Sequence, residues 1–202
     1  MKNSQKLQRG IKYGFDFLVA LLLLVPLSIV IAVLGVILYM DSPGPIFFKQ
    51  LRPGRKGKLF SILKLRTMVP GDHTGSTPRN ADGSLALTHD LSGYTRFGKH
   101  LRRFSLDELP QIYNVLRGEM SFIGPRPDLP EHVQLYQGQE TLKLLVRPGL
   151  TGLAQIKGRN ELPWRERLQL DAQYVKEYSL ALDCKIFIRT LGRLISGKGV
   201  YQ

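Results

Sequence analysis

Ser105-Leu-Asp-Glu-Leu-Pro-Gln111 sets two adjacent carboxylates, Asp107 and Glu108, just after a run of basic residues, and Gly124-Pro-Arg-Pro127 follows downstream. An ionised carboxylate can attack phosphorus and form a covalent intermediate. Two obstacles oppose that step: repulsion between anions and poor departure of the leaving phosphate. A divalent cation held by oxygen donors reduces both, and Asp107 and Glu108 are donors of the right kind. Arginine can fix the remaining phosphate oxygens by paired contacts. Arg102, Arg103, Arg126, Arg147 and Arg159 are at hand. Of these, Arg126 and Arg159 sit in stiff, turn-rich segments. Pro125 and Pro127 restrict the backbone on both sides of Arg126 before any ligand arrives. Arg147-Pro-Gly-Leu-Thr-Gly152 and Lys157-Gly-Arg-Asn160 carry glycines that permit close backbone approach to a phosphate.

A purely structural reading of the same residues exists. Ser105 and Glu108 have the Ser-x-x-Glu spacing of a capping box. Asp107 would then lie in a first helical turn, where the helix dipole and nearby cations keep its pKa low. The other candidates are weaker. His73, His89, His100 and His132 are scattered without metal-ligand spacing and read as non-catalytic. Trp164 reads as core or membrane interface rather than a sugar platform. Walker A and GxGxxG motifs are missing, which excludes a P-loop or dinucleotide-binding reading.

The elements that must position these groups begin with a membrane segment. Residues 17–40 carry no charge, and as a helix these 24 residues reach roughly 36 Å, enough for a ~30 Å hydrocarbon layer. Lys2, Lys6, Arg9 and Lys12 precede the run; Lys49, Arg52, Arg55, Lys56 and Lys58 follow it. Basic flanks stay cytoplasmic, so a hairpin that enters and leaves on one face satisfies both. Pro26 removes a backbone hydrogen bond within the run, and the Ser28 hydroxyl can satisfy a freed carbonyl. A kinked, re-entrant helix and a kinked span both fit this composition.

Beyond the turn cluster Asp41-Ser-Pro-Gly-Pro45, strands are expected over 46–50 and 59–66, joined by a loop at 52–57. Residues 69–90 are polar and glycine-rich and read as a loop. Helices are expected over 95–104, 106–116, 130–145, 164–178 and 183–195. The last has Cys184, Phe187, Ile188, Leu191, Leu194 and Ile195 on one face, and Lys185, Arg189 and Arg193 on another. That pattern suits either a membrane surface or a helix docked on the core. The chain is therefore α/β, mainly helical with a small β-hairpin. Residues 1–40 are expected to form its membrane part, and residues 41–202 a cytoplasmic domain, read as catalytic, with surface amphipathic helices.

Charge narrows the partners. The 29 Lys and Arg exceed the 16 Asp and Glu, giving +13, so an anionic partner is expected. Lipid and phosphorylated substrates fit a chain with an apolar anchor. Nucleic acid is not expected, since helix-turn-helix, zinc-finger and RNA-binding signatures are missing. Cys184 is the only cysteine, which precludes an intrachain disulfide and fits a reducing compartment.

Seven segments, in this order, carry a family resemblance: Asp41-Ser-Pro-Gly-Pro45, Lys64-Leu-Arg-Thr-Met68, Ser105-Leu-Asp-Glu-Leu-Pro-Gln111, Asn114-Val-Leu-Arg-Gly118, Met120-Ser-Phe-Ile-Gly-Pro-Arg-Pro127, Arg147-Pro-Gly-Leu-Thr-Gly152 and Gly158-Arg-Asn160. The chain resembles the bacterial sugar transferases, the monotopic polyprenyl-phosphate phosphoglycosyl transferases, in their small form. The likeness covers residues 12–194. It implies a ping-pong reaction. Asp107 attacks the sugar-side phosphate of a UDP-sugar, UMP leaves, and polyprenyl (undecaprenyl) phosphate takes the phosphosugar. This would be the first membrane step of surface glycan synthesis.

The resemblance further implies Mg²⁺ at Glu108 and Asp107. Arg102, Arg126, Arg159 and Lys64, with Pro125 and Pro127, would serve substrate binding. It also implies a re-entrant helix in a bacterial inner membrane, with the catalytic domain on the cytoplasmic face. Family members place Ser directly before Pro at the membrane break. Here Ser28 matches, but Pro26 comes earlier, which predicts a displaced or shallower kink. The partners implied are UDP-sugar, polyprenyl phosphate and the bilayer; a homo-oligomer is allowed. The rival from another class is a non-enzymatic, membrane-anchored scaffold that binds acidic lipid.

Overall fold

The computed structural model describes residues 3–69, 93–158 and 162–196. Of the loop expected over 69–90, residues 70–90, with His73 and His89, lie outside the described residues, as do Arg159 and Asn160.

Helix α1 (Asn3–Asp41) runs for 39 residues and contains Pro26. Its buried residues recur every three or four positions within each half: Arg9, Lys12, Asp16 and Ala20, then Ile31, Gly35 and Leu38. Such spacing places them on one face. The opposite side exposes Leu18, Leu22, Val25, Ile29, Val33, Val36 and Met40. The helix is long and apolar enough to cross a membrane, and only 11% of its most apolar stretch is buried against the rest of the chain.

Contacts along α1 reach one protein body from both ends and from the middle. Gln5 Nε2 donates to the Lys176 carbonyl (2.8 Å), and Arg9 Nη2 to that of Val175 (2.8 Å). Midway, the Ser28 hydroxyl bonds the Leu24 carbonyl (2.6 Å) and shares a hydrogen bond with the Tyr113 hydroxyl (2.8 Å). Near the far end, Asp41 Oδ2 accepts the Phe97 N–H (2.9 Å).

Strands β1 (Phe47–Pro53) and β2 (Leu59–Leu65) pair antiparallel from Phe47↔Leu65 to Pro53↔Leu59. Strand β1 runs three residues past its expected end, because a 3₁₀ turn at Arg55–Gly57 completes the reversal, with φ of 60° at Lys56 and 73° at Gly57. Helix α2 (Arg96–Arg103) is capped by the Thr95 hydroxyl, which accepts the Gly98 N–H (2.9 Å). The single helix expected over 106–116 is instead a 3₁₀ segment, Leu106–Gln111, continued by α3 (Ile112–Leu116).

Strands β3 (Ser121–Ile123) and β4 (Gly149–Thr151) pair in parallel, a second small sheet that periodicity did not reveal. Between them, the helix expected over 130–145 is two 3₁₀ pieces, Pro130–Leu135 and Gly138–Leu145. Tyr136 and Gln137 are extended there and Gly138 takes φ +51°, so the helical path is broken. Helices α4 (Leu153–Lys157), α5 (Trp164–Lys176) and α6 (Leu180–Ser196) follow.

Among the described residues the chain is thus mainly helical, with two two-stranded sheets. One apolar core joins Ala20 of α1, Phe60 and Ile62 of β2, Ile112 and Val115 of α3, and Met120. A second joins Ile123, Leu153, Tyr174, Val175 and Ile186. Helix α6 buries Asp183 and Ile186 and exposes Cys184, Phe187, Ile188 and Leu191. Its apolar stripe therefore points outward, beside exposed Lys185 and Arg189. Arg193 instead donates to the Gln155 carbonyl (2.9 Å). The side chains of Leu194 and Ile195 lie outside the described residues.

Candidate active site

Three backbone devices build the site. The first is Ser105, which adopts φ +55° between α2 and the 3₁₀ segment. A left-handed residue other than glycine is costly and recurs at functional turns. Here it turns the chain so that Asp107 and Glu108 are buried, at 3% and 9% exposure. The capping box that the Ser-x-x-Glu spacing allowed as the structural alternative does not form, since Ser105 makes no side-chain cap. Glu108 pairs with distant cations instead.

The second device is Asn114. Its side-chain oxygen accepts the Leu63 N–H (3.1 Å), and its amide donates to the Ser61 carbonyl (2.8 Å). Helix α3 thereby grips the edge of β2 and holds Lys64 over the carboxylates. The third is the contact of Gly124 with Gly149. A Cβ on Gly124 would come 2.7 Å from the Arg147 carbonyl oxygen, and one on Gly149 would come 2.1 Å from the Gly124 nitrogen. Only glycine fits at both positions, and the resulting close approach sets the path of Pro125-Arg126-Pro127.

Together these place Lys64, Arg102 and Arg126 around the two carboxylates. Glu108 Oε1 lies 2.9 Å from Lys64 Nζ and 2.7 Å from Arg126 Nη2, while its Oε2 is 3.4 Å from Arg126 Nη1. Asp107 Oδ2 has a looser neighbour, Arg102 Nη1 at 3.6 Å. The Arg102 and Arg126 side chains remain 34% and 36% exposed. Pro125 and Pro127 are buried and frame Arg126; the Pro127 carbonyl accepts from Arg52 Nη1 at 3.4 Å.

The two carboxyls differ electrostatically. Burial, and then the neighbouring Glu108, pushes the Asp107 carboxyl above its ordinary value; Lys64, Arg102 and Arg126 act against that rise. The low value expected from a helix dipole is thus overturned by desolvation, the 3₁₀ segment being too short to offset it. Burial would also raise Glu108, but Arg126 and Lys64 hold it well below the usual carboxylate range. Lys64 is itself lowered by burial, with Glu108 opposing.

Other expected residues lie elsewhere. Arg147 stacks on the Tyr13 ring, 4.1 Å from its centroid. Arg103 is exposed and sits over Phe104. His132 and Trp164 are buried and pack edge to face at 5.2 Å, a core arrangement. Sequence reasoning missed the ion network beside Arg126. Lys143 Nζ bonds Asp128 (2.7 Å) and Asp171 (2.8 Å), and the Tyr136 hydroxyl donates to Asp128 (2.7 Å). The position of Asp128, immediately after Pro127, was the available signal.

A profile described as "Bacterial sugar transferase" matches residues 7–197. The chain belongs to the bacterial sugar transferase family. The transferase is 38% identical over 192 residues to the uncharacterized sugar transferase EpsL of Bacillus subtilis, covering 95% of this chain and 91% of that one. It is 39% identical over 201 residues to the exopolysaccharide production protein ExoY of Rhizobium meliloti, with 94% and 88% covered. To the UDP-glucose:undecaprenyl-phosphate glucose-1-phosphate transferase of Xanthomonas campestris it is 42% identical over 191 residues. That match covers 91% of this transferase but 38% of the Xanthomonas protein.

Proposed function

We propose that this transferase moves a sugar 1-phosphate from a UDP-sugar to polyprenyl phosphate, undecaprenyl phosphate in a bacterium, through a covalent phosphosugar on Asp107. The carrying observation is the division between the two buried carboxylates. Glu108 is clamped by Lys64 and Arg126 at 2.9 and 2.7 Å, whereas the ion pair to Asp107, from Arg102, is looser at 3.6 Å. Adjacent acids with diverging environments take different roles. The clamped one anchors, and the less neutralised one attacks.

In the first half-reaction an Asp107 oxygen bonds to the sugar-side phosphorus, and the bond from that phosphorus to the bridging oxygen breaks. UMP leaves with the electron pair. An oxygen of polyprenyl phosphate then attacks the same phosphorus, freeing the Asp107 carboxylate and yielding polyprenyl diphosphosugar. Arg102 and Arg126 neutralise the phosphate oxygens in both steps.

Mg²⁺ fits this donor set in one way only. Among the described residues, no group of three or more His, Cys, Asp or Glu could hold an ion alone. Asp107 and Glu108 with diphosphate oxygens would complete its shell, the usual arrangement for this cation. Bound there, Mg²⁺ supplies charge stabilisation for the departing phosphate.

Residues 1–40 are read as a re-entrant membrane segment and residues 41–202 as the catalytic domain at the cytoplasmic face of the inner membrane. Support comes from α1, whose two ends and middle all bond to one body, while its other face is bare apolar surface. A simple span would leave one end beyond the bilayer. The outward apolar stripe of α6 suits the same lipid surface. Glycan assembly is the process into which such a product feeds.

The test is UMP release by the detergent-purified enzyme from a panel of UDP-sugars with polyprenyl phosphate and Mg²⁺. Asp107→Asn is expected to lower the rate at least a thousandfold, about 4 kcal/mol in barrier. Full activity in that variant would remove Asp107 as the nucleophile.

A further inference from the structure

A cleft between α4 and α5, with about 360 Å³ of empty space including its open mouth, is lined by Arg126, Lys143, Gln155, Trp164, Arg167 and Asp171. Four buried side-chain atoms without a hydrogen-bond partner belong to three of these residues: Gln155 Nε2 and Oε1, Trp164 Nε1, and Asp171 Oδ1. Trp164 and Asp171 are 4% and 2% exposed. Unmet buried polar atoms are rare in folded chains, and each costs free energy. Their gathering at one cleft marks a place completed by something polar. Asp171 Oδ2 is held by Lys143 Nζ at 2.8 Å, which fixes the carboxylate while Oδ1 stays free to accept.

We infer that this cleft is the subsite for the sugar ring of the donor, with Gln155, Trp164 and Asp171 reading its hydroxyl or N-acyl groups. The inference rests on the reaction proposed above and deepens it. Three observations favour a sugar. First, the unmet atoms are one amide donor, one amide acceptor, one indole donor and one carboxylate acceptor. A ring bearing several hydroxyls, each able to donate and accept, can meet all four. Second, Ala154 and Leu168 supply apolar wall for the C–H face of a ring beside the polar atoms of Gln155, Trp164 and Asp171. Third, Arg126 belongs both to the cleft and to the Glu108 clamp. The phosphate attacked by Asp107 must lie there, and the sugar is bonded directly to that phosphate. The nucleoside is one phosphate farther away.

Trp164→Phe and Gln155→Leu each delete polar atoms while keeping similar bulk, and thermal melting checks their folding. The measurement is KM for the best UDP-sugar and inhibition by UMP, which lacks the sugar. The expected result is a KM raised about tenfold in each variant, with UMP inhibition unchanged within twofold and relative preference among UDP-sugars altered. Gln155→Glu, which keeps an acceptor, serves where Gln155→Leu fails to fold and is expected to shift preference too. If UMP inhibition weakens in parallel, the cleft holds the nucleoside and the inference is overturned. If neither quantity moves, the cleft holds only water and the inference is overturned. A wild-type enzyme that releases no UMP from any donor would defeat the underlying reaction itself, a result distinct from both.

Discussion

Glu108 Oε1 sits 2.7 Å from Arg126 Nη2, so the residue next to Asp107 is tied to a proline-framed turn 18 positions away in the chain. That bond fixes two things at once. It locks the anchoring carboxylate, and it holds the Arg126 guanidinium next to the Asp107–Glu108 pair. Arginine and lysine differ in such a place, because only the planar fork can serve a carboxylate and a phosphate together.

Arg126→Lys is accordingly expected to lose about a hundredfold in kcat/KM for UMP release, roughly 2.7 kcal/mol. Steady-state kinetics with the best donor check this. A lysine variant retaining near-normal efficiency would show that point charge alone suffices.

A second prediction concerns how α1 is tied to the body. Lys12 Nζ lies 2.9 Å from Asp183 and 3.7 Å from Asp16, all of them buried. Asp16 also accepts from the Ser121 hydroxyl (2.6 Å), and Asp183 from the Tyr174 hydroxyl (2.8 Å). Lys12→Met would strand two buried carboxylates, a loss of about 3 kcal/mol. Melting in detergent should show Tm lowered by about 10 °C; an unchanged Tm would mean that water already serves these groups.

Acid should weaken donor binding through Asp171. Burial raises its carboxyl to about 6; Lys143 and Arg167 pull it down, and Asp128 adds to the rise. Asp128 and Lys143 face it from the segments after β3 and before β4, and Arg167 shares its helix. The sign is that of a raised carboxyl: the folded protein takes up this proton as pH falls through 6, before an unfolded chain would. Folding is thus not lost through this group in acid, but the carboxylate acceptor is. With Asp107→Asn as a non-reacting host, the Kd for a UDP-sugar should rise as pH drops from 7.5 to 5.5. With Asp171→Asn added, that dependence should flatten. Tighter binding in acid would contradict the assignment.

Much of the site was legible in the chain because it depends on residue type within short segments. Asp107, Glu108 and Arg126 announce themselves by local composition, and prolines stiffen Arg126 in sequence as in space. The partners were not legible. Lys64 meets Glu108 across 44 positions, brought together by tertiary contacts such as the grip of Asn114 on β2. The capping-box alternative could not be dismissed from spacing, since the φ of +55° at Ser105 is a tertiary outcome that no local pattern encodes. Gly138 broke an expected helix because a φ of +51° is open to glycine. In α6 the hydrophobic stripe was read correctly, but periodicity cannot tell whether a stripe faces protein or lipid.

The central claim is a phosphosugar ester on Asp107, and intact-protein mass spectrometry addresses it most directly. Enzyme mixed with its UDP-sugar and Mg²⁺, without acceptor, and quenched in acid should gain the mass of one phosphosugar. Peptide mapping should place that mass on Asp107, and added polyprenyl phosphate should discharge it. An enzyme that releases UMP only when acceptor is present, and never gains that mass, would contradict the account.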